Sequence, residues 1–205
     1  MITVVTDFPI AYESHDHTEP KGTMVDNTHK PEFVARLNEI AEGKKVIMAD
    51  LGCSGGGLVK DMLDDGHQAV GIEGSDFSLK QKRAEWATIP DNLFTADITK
   101  PFFIVEDNKV TGLCDLITAW DVLEHIPEID ISGLIMNIRN NLKFNGLFVC
   151  SIATFLDEPH HVTLRPREWW LKEFAKFKLL PSSDELFTED QMVRQSSFYL
   201  TLIKV

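Results

Sequence analysis

A strand-like run from Lys45 to Leu51 empties into Gly52-Cys53-Ser54-Gly55-Gly56-Gly57, and Leu58, Val59, Met62 and Leu63 then draw an apolar stripe at helical spacing that stops at Gly66. Strand, glycine turn and helix in that order constrain the fold more than any other feature. A strand followed by a covering helix returns to its sheet by a crossover, so the unit builds parallel sheets. The unit recurs. His67 to Ile72 reads as a second strand delivering Glu73 at its carboxyl end, and a helix from about Asp76 leads to a short strand, Asn92 to Thr95. Cys114 to Trp120 is nearly continuous in apolar residues, as in a strand covered on both faces. Ile131, Leu134, Ile135, Ile138 and Leu142 share a helical face, and Asn145-Gly146 turns the chain into Leu147 to Ala153. Pro166 opens a helix with Trp170, Phe174 and Phe177 on one side, and Phe198 to Val205 reads as a terminal strand. Upstream, Pro31 suits a first helical turn, Phe33, Val34, Leu37, Ile40 and Ala41 follow on one face, and Gly43 suits its stop. The expected architecture is a doubly wound, mostly parallel α/β sheet with helices on both faces.

Residues 1–30 show no sustained period and mix Pro9, Pro20 and Gly22 with polar residues, so they read as an arm or lid. The 205 residues fit one domain: the arm at 1–30, then an α/β core at 31–205 with an insertion at about 154–167. A net charge of −12 disfavours phosphate backbones and anionic lipid as partners. No apolar run approaches the roughly 20 residues that span a bilayer. Met1 to Ile10 lacks the features of an export signal, and Cys53, Cys114 and Cys150 form no Cys-x-x-Cys pair. The expectation is a soluble, cytoplasmic protein whose cysteines fill space. His15-Asp16-His17 reads as solvated loop, and no metal site is expected.

Ligands of such sheets sit beyond the carboxyl ends of the strands. The loop from Asp50 through Gly52, Cys53, Ser54, Gly55 and Gly56 lets a ligand approach backbone N–H groups at a helix start. Glu73, with Gly74 behind it, follows one helix and one strand later, where a carboxylate accepts hydrogen bonds from both hydroxyls of a ribose. Asp97 and Ile98 would hold an adenine amino group and cover its ring. Trp120-Asp121 and Glu124-His125 follow the next strand. Together these describe a pocket for an adenosine bearing positive charge.

The arrangement resembles the class I S-adenosylmethionine-dependent methyltransferases, whose first motif, D-x-G-x-G-x-G, here reads Asp50-Leu51-Gly52-Cys53-Ser54-Gly55-Gly56, with Ser54 in place of the middle glycine. The resemblance runs from about Val46 to Ile152. Its most specific stretch, Trp120 to Ile126, is similar to the group that methylates small molecules. It implies a seven-stranded sheet with an antiparallel last strand and S-adenosyl-L-methionine as cofactor, with S-adenosyl-L-homocysteine as product. It further implies a small-molecule acceptor methylated at O, N or C. The Asn/Asp-Pro-Pro-Tyr/Phe motif of base-amino methylation and the Pro-Cys of cytosine-ring methylation are absent. If the acceptor needs a base, His160 and His161 in the insertion and His125 after the fourth strand are the candidates. Two other classes stay open. One is a nicotinamide-dependent oxidoreductase, which shares the glycine turn and the acidic residue. The other is a methyltransferase-like binding or activator protein without catalysis.

Overall fold

The computed structural model describes residues 2–106, 109–110, 112–184, 186 and 197–205. The strands are β1 (Ile2–Thr6), β2 (Ile47–Leu51), β3 (Gln68–Glu73), β4 (Leu93–Thr95), β5 (Phe102–Glu106), β6 (Lys109–Val110), β7 (Cys114–Trp120), β8 (Leu142–Ala153), β9 (Leu179–Pro181) and β10 (Ser197–Lys204). The helices are α1 (His15–Thr18), α2 (Lys21–Val25), α3 (Pro31–Ile40), α4 (Gly57–Asp64), α5 (Phe77–Gln81), α6 (Ile131–Asn141) and α7 (Arg167–Lys176).

The main sheet has seven strands in the order β4-β3-β2-β7-β8-β10-β9. Strands β4, β3, β2, β7 and β8 pair in parallel, and the last strand, β10, runs antiparallel between β8 and β9. The order reverses between β2 and β7, so the carboxyl ends of β2, β3, β4 and β7 frame one crevice. Side chains alternate between faces with period two. Met48, Leu116 and Val149 join the core under α3 and α4, with Phe33, Leu37, Leu58, Val59 and Met62. Ala49, Leu51, Ile117, Ala119 and Phe148 join the opposite core, under α6 and α7, with Ile131, Leu134, Ile135, Ile138, Trp170 and Phe174. The doubly wound α/β sheet expected from the sequence is thus the observed one.

Several elements differ from the sequence reading. Ile2–Thr6, inside the supposed arm, pairs antiparallel with Phe102–Glu106, and β6 completes a small separate sheet. Two short helices follow within the arm; its first residue, Met1, lies outside the described residues, as do 107, 108, 111, 185 and 187–196 of the span 1–205. The helix from Asp76 is only five residues long and gives way to a 3-10 turn at Ala84–Ala87. The Asn145-Gly146 turn is real, with Asn145 at φ 62°, but it bulges out of one strand that already starts at Leu142. Opposite it, the register with β7 shifts between Cys114 and Leu116. Among the described residues no helix is long and apolar enough to cross a membrane.

Candidate active site

The residues singled out in the sequence meet along the carboxyl edge of β2, β3, β4, β7 and β8. At β2, the Gly52 and Cys53 N–H groups donate to the Ile72 carbonyl (2.7 and 3.2 Å), which ties the loop to β3. Gly52 has φ +73°, and a Cβ there would collide with Val122, so its missing side chain admits protein. Gly55 faces Asn27, Gly56 faces Leu93 and Glu85, and Gly74 faces Ala11 at 3.3 Å. The Gly52 and Cys53 N–H groups are thus taken by β3, and the Gly56 N–H donates to the Cys53 carbonyl (2.8 Å) at the start of α4. Cys53 turns its thiol towards Gly71 in the core, and burial pushes the thiol well above its ordinary range, with Glu73 and Asp50 adding to the rise. Burial pushes Cys114 up to about 12.

Ser54, in place of the middle glycine, takes a left-handed conformation with φ 47° that costs an L residue roughly 1–2 kcal/mol. Its hydroxyl offsets part of that by donating to the Asp26 carbonyl (3.0 Å) and accepting from Arg83 (3.1 Å). Trp86 Nε1–H donates to the Ser54 carbonyl (2.8 Å), and Glu85 N–H to that of Gly55 (2.9 Å). Sequence reasoning missed Arg83 and Trp86; they sit in a stretch with no period, where a tryptophan among polar residues is the only signal.

Glu73 ends β3 with its carboxylate buried. Oε2 accepts from Ser54 N–H (2.8 Å) and Oε1 from Ser75 N–H (3.2 Å). Burial raises its affinity for a proton, and the two N–H bonds oppose that rise. Each oxygen keeps a further lone pair, so two hydroxyls fit the same carboxylate. Asp97 uses Oδ1 to accept from Thr99 N–H (2.9 Å) and Oγ1–H (2.6 Å), while its own N–H donates to the Phe8 carbonyl (2.9 Å). Ile98 is buried in the core beside it.

Asp50 is fully enclosed, and burial lifts its pKa to about 7 against the pull of the Thr118 hydroxyl, which donates to Oδ1 at 2.7 Å, and of Lys30. The Lys30 ammonium stands 4.1 Å above the Trp120 ring, which meets Phe33 edge-on at 5.3 Å. Lys30 was not foreseen either, since a basic residue before a proline carries no signal of its own. Asp121, at φ 51°, accepts from the Ser151 hydroxyl (2.8 Å), and its N–H donates back to that oxygen (2.9 Å).

The histidines gather on the β7 and β8 side. His125 and His161 meet edge-on with centroids 4.8 Å apart, and His160 lies 6.3 Å from His125. His125 Nδ1 pairs with Asp16 at 2.9 Å; burial disfavours the charged ring, but this bond and the Asp16 charge outweigh it and raise the pKa. His160 Nε2 bonds to the Glu19 carbonyl (3.0 Å), an acceptor only, so the ring carries its proton there and presents a bare lone pair at Nδ1. That Nδ1 is buried with no hydrogen-bond partner.

Residues of the N-terminal segment bond to this edge. Ala11 N–H donates to the Gly74 carbonyl (2.9 Å), and Lys21 pairs with Asp157 (2.8 Å). A shallow depression of about 370 Å³ lined by Met136, Arg139 and Phe177 lies at the opposite, amino end of the sheet, away from these groups.

Comparison with known proteins bears on the family and the fold. A family model described as a methyltransferase domain matches residues 26–190. No curated protein matches the chain in sequence. Among solved structures, an S-adenosylmethionine-dependent methyltransferase from Clostridium acetobutylicum is 14% identical with a TM-score of 0.63, covering 94% of this chain and 96% of that one. A 1,6-didemethyltoxoflavin-N1-methyltransferase from Burkholderia thailandensis, holding its substrate and S-adenosylhomocysteine, is 14% identical with a TM-score of 0.60, over 93% and 84%. The CurJ carbon methyltransferase is 16% identical with a TM-score of 0.55; the match covers 84% of this chain but 54% of that one, and a further matched structure is covered to 60%. At these identities the likeness is one of fold. The family match spans most of the sequence: this chain belongs to the methyltransferase-domain family, within the class I S-adenosylmethionine-dependent methyltransferases, and its cofactor is S-adenosylmethionine.

Proposed function

We propose that the chain transfers a methyl group to a small cytoplasmic metabolite, with residues 1–30 acting as a lid over one α/β unit. The observation that carries the reading is the convergence of Asp50, Glu73, Asp97 and Trp120-Asp121 at the carboxyl ends of four adjacent strands. In this reading the loop from Gly52 to Gly56 lies with its backbone against the cofactor, Glu73 with Gly74 takes the ribose hydroxyls, and Asp97 with Ile98 takes the purine. Cys53 and Ser54 contribute backbone alone, and Asp50 faces the cationic end beside Trp120 and Asp121.

The cofactor supplies an electrophilic methyl group on a sulfonium, a good leaving group. What remains for the protein is to align the acceptor and exclude water, effects worth about 7–11 kcal/mol. The arm supplies the exclusion. Of the three histidines, we assign the proton transfer from an oxygen or carbon acid to His160, whose buried Nδ1 has no hydrogen-bond partner; His161 and His125 orient the acceptor beside it. The Burkholderia structure holds 1,6-didemethyltoxoflavin, which favours a small acceptor. A net charge of −12 weighs against nucleic acid.

The test is S-adenosylhomocysteine release over a panel of hydroxylated, aminated and carboxylated metabolites, with cofactor affinity measured in parallel by calorimetry. Turnover with at least one small acceptor, reduced about 10²–10⁴-fold in His160→Ala with cofactor affinity kept, is expected. Tight binding of the cofactor without product over the whole panel would identify a non-catalytic relative instead.

A further inference from the structure

Glu124, His125 and His161 come from two segments and meet beyond the carboxyl ends of β7 and β8, each with one ligand atom within 4.8 Å of the other two. The backbone holds them there. Val162 and Thr163 N–H groups both donate to the Glu124 carbonyl (2.8 and 2.9 Å), and the His161 N–H donates to Asp157 (2.9 Å).

Each side chain is turned so that a lone pair is left over. His161 Nδ1 bonds to the Phe155 carbonyl at 2.7 Å, which can only accept, so the proton sits on Nδ1 and Nε2 is bare. His125 bonds through Nδ1 to the Asp16 carboxylate, which likewise leaves Nε2. Glu124 is wholly buried, its Oε1 accepts from Ala153 N–H (3.0 Å), and its Oε2 has no hydrogen-bond partner. A carboxylate oxygen enclosed without a donor carries a cost of roughly 1–3 kcal/mol or more unless something positive meets it. Two imidazole nitrogens and one carboxylate oxygen are the donor set of open transition-metal sites, and a histidine anchored by its second nitrogen to a carboxylate or carbonyl is the usual outer support of such ligands.

The geometry points to a divalent transition-metal site formed by Glu124 Oε2, His125 Nε2 and His161 Nε2, supported by Asp16 and the Phe155 carbonyl and left open on the acceptor side. Binding of the ion stands apart from the methyl-transfer reading. Its role rests on that reading: through its open positions the ion would hold an oxygen of the acceptor, which selects acceptors bearing a hydroxyl, enol or carboxylate. Spacing in the sequence hides the site, because Glu124-His125 and His161 are joined only by the fold, and the His15-Asp16-His17 run supplies an outer partner rather than a ligand.

Zn²⁺ alone is the probe, with metal content of the full chain measured after equilibrium dialysis and affinity by calorimetry. One ion per chain is expected. His161→Ala and Glu124→Gln should each weaken binding about 100-fold or more, and Asp16→Asn about 10–100-fold. Circular dichroism checks folding; if Glu124→Gln fails to fold, His161→Ala and Asp16→Asn, at a position less enclosed than Glu124, decide the question. Less than one ion per chain at saturation, or equal affinity in wild type and His161→Ala, overturns the site. S-adenosylhomocysteine binding by the same proteins separates the two readings: a chain that binds the nucleoside but no Zn²⁺ removes only the metal, and one that binds Zn²⁺ but no nucleoside removes only the cofactor assignment.

Discussion

Glu73 carries two duties that pull in different directions when it is changed. Its oxygens pin the loop by accepting from Ser54 and Ser75 N–H groups, and in the proposed site their remaining lone pairs take the ribose hydroxyls. Glu73→Ala should therefore weaken S-adenosylhomocysteine binding by about 10–100-fold, from charge-assisted bonds worth ~1.5–3 kcal/mol, and also lower stability by leaving two N–H groups unpaired. Glu73→Gln, which keeps an acceptor, should recover most of the stability and little of the affinity. Calorimetry and thermal unfolding on both variants separate the duties; equal affinity in Glu73→Ala and wild type would remove this carboxylate from the site. Gly52→Val behaves differently. With φ +73° and Val122 against the missing Cβ, it should cost several kcal/mol of stability, so its loss of cofactor binding should come with a lower unfolding temperature. A Gly52→Val protein that unfolds like wild type and loses only affinity would show that Val122 gives way and that a ligand needs the space.

Elements with long apolar runs were legible in the sequence, and those made by distant pairing were not. β7 matched from Cys114 to Trp120, and α4 and α6 were found by their stripes, because each buries its face against the sheet whatever else the chain does. β1 carries no strand signal of its own, since Ile2–Thr6 is five residues whose strand partner among the described residues, Phe102–Glu106, lies nearly a hundred positions away. β9, three residues long, is a strand only because β10 pairs with it. At the site, residues at strand ends were found by position, whereas Lys30, Arg83 and Trp86 act through contacts that no spacing announces. The arm itself divides in two. β1 is paired to β5, whereas the stretch from Phe8 to Thr28 is held to the core by single bonds and ion pairs, among them Ala11 to Gly74, Asp16 to His125, Glu19 to His160, Asp26 to Ser54 and the exposed Lys21–Asp157 pair, the last worth about 0–1 kcal/mol. If this stretch acts as the proposed lid, it opens locally without unfolding the sheet. Hydrogen exchange should accordingly be faster at residues 11–26 than in β2 and β7, and should slow when S-adenosylhomocysteine binds. Exchange as slow as the core in the absence of the nucleoside would make this stretch a fixed cap.

Over the whole molecule, two electrostatic costs accompany folding, and they answer to different variables. A net charge of −12 repels itself in the compact state, and salt relieves that repulsion by screening. Asp50 poses a separate cost, since it is enclosed with Glu73 and Asp26 nearby and only Lys30 and the Thr118 hydroxyl opposing them. Its pKa of about 7 in the folded chain stands above the 3.8 of an exposed aspartate, so between those values the folded state holds a proton that the unfolded state has released. Stability from this group is therefore fully present below about pH 4, falls as pH rises, and is gone above pH 7, with a slope of up to about 1.4 kcal/mol per unit. Asp50→Asn, which stays neutral throughout, should flatten that part of the pH dependence, whereas added salt should raise stability near neutrality and leave the slope from Asp50 in place. A cationic ligand beside Asp50 reverses the preference by favouring the carboxylate. At pH 6, S-adenosylmethionine should then bind with release of up to one proton, read as a dependence of the calorimetric enthalpy on the ionisation enthalpy of the buffer. Asp50→Asn should abolish that release, and if wild type and variant show the same proton balance, the positive end of the cofactor lies elsewhere.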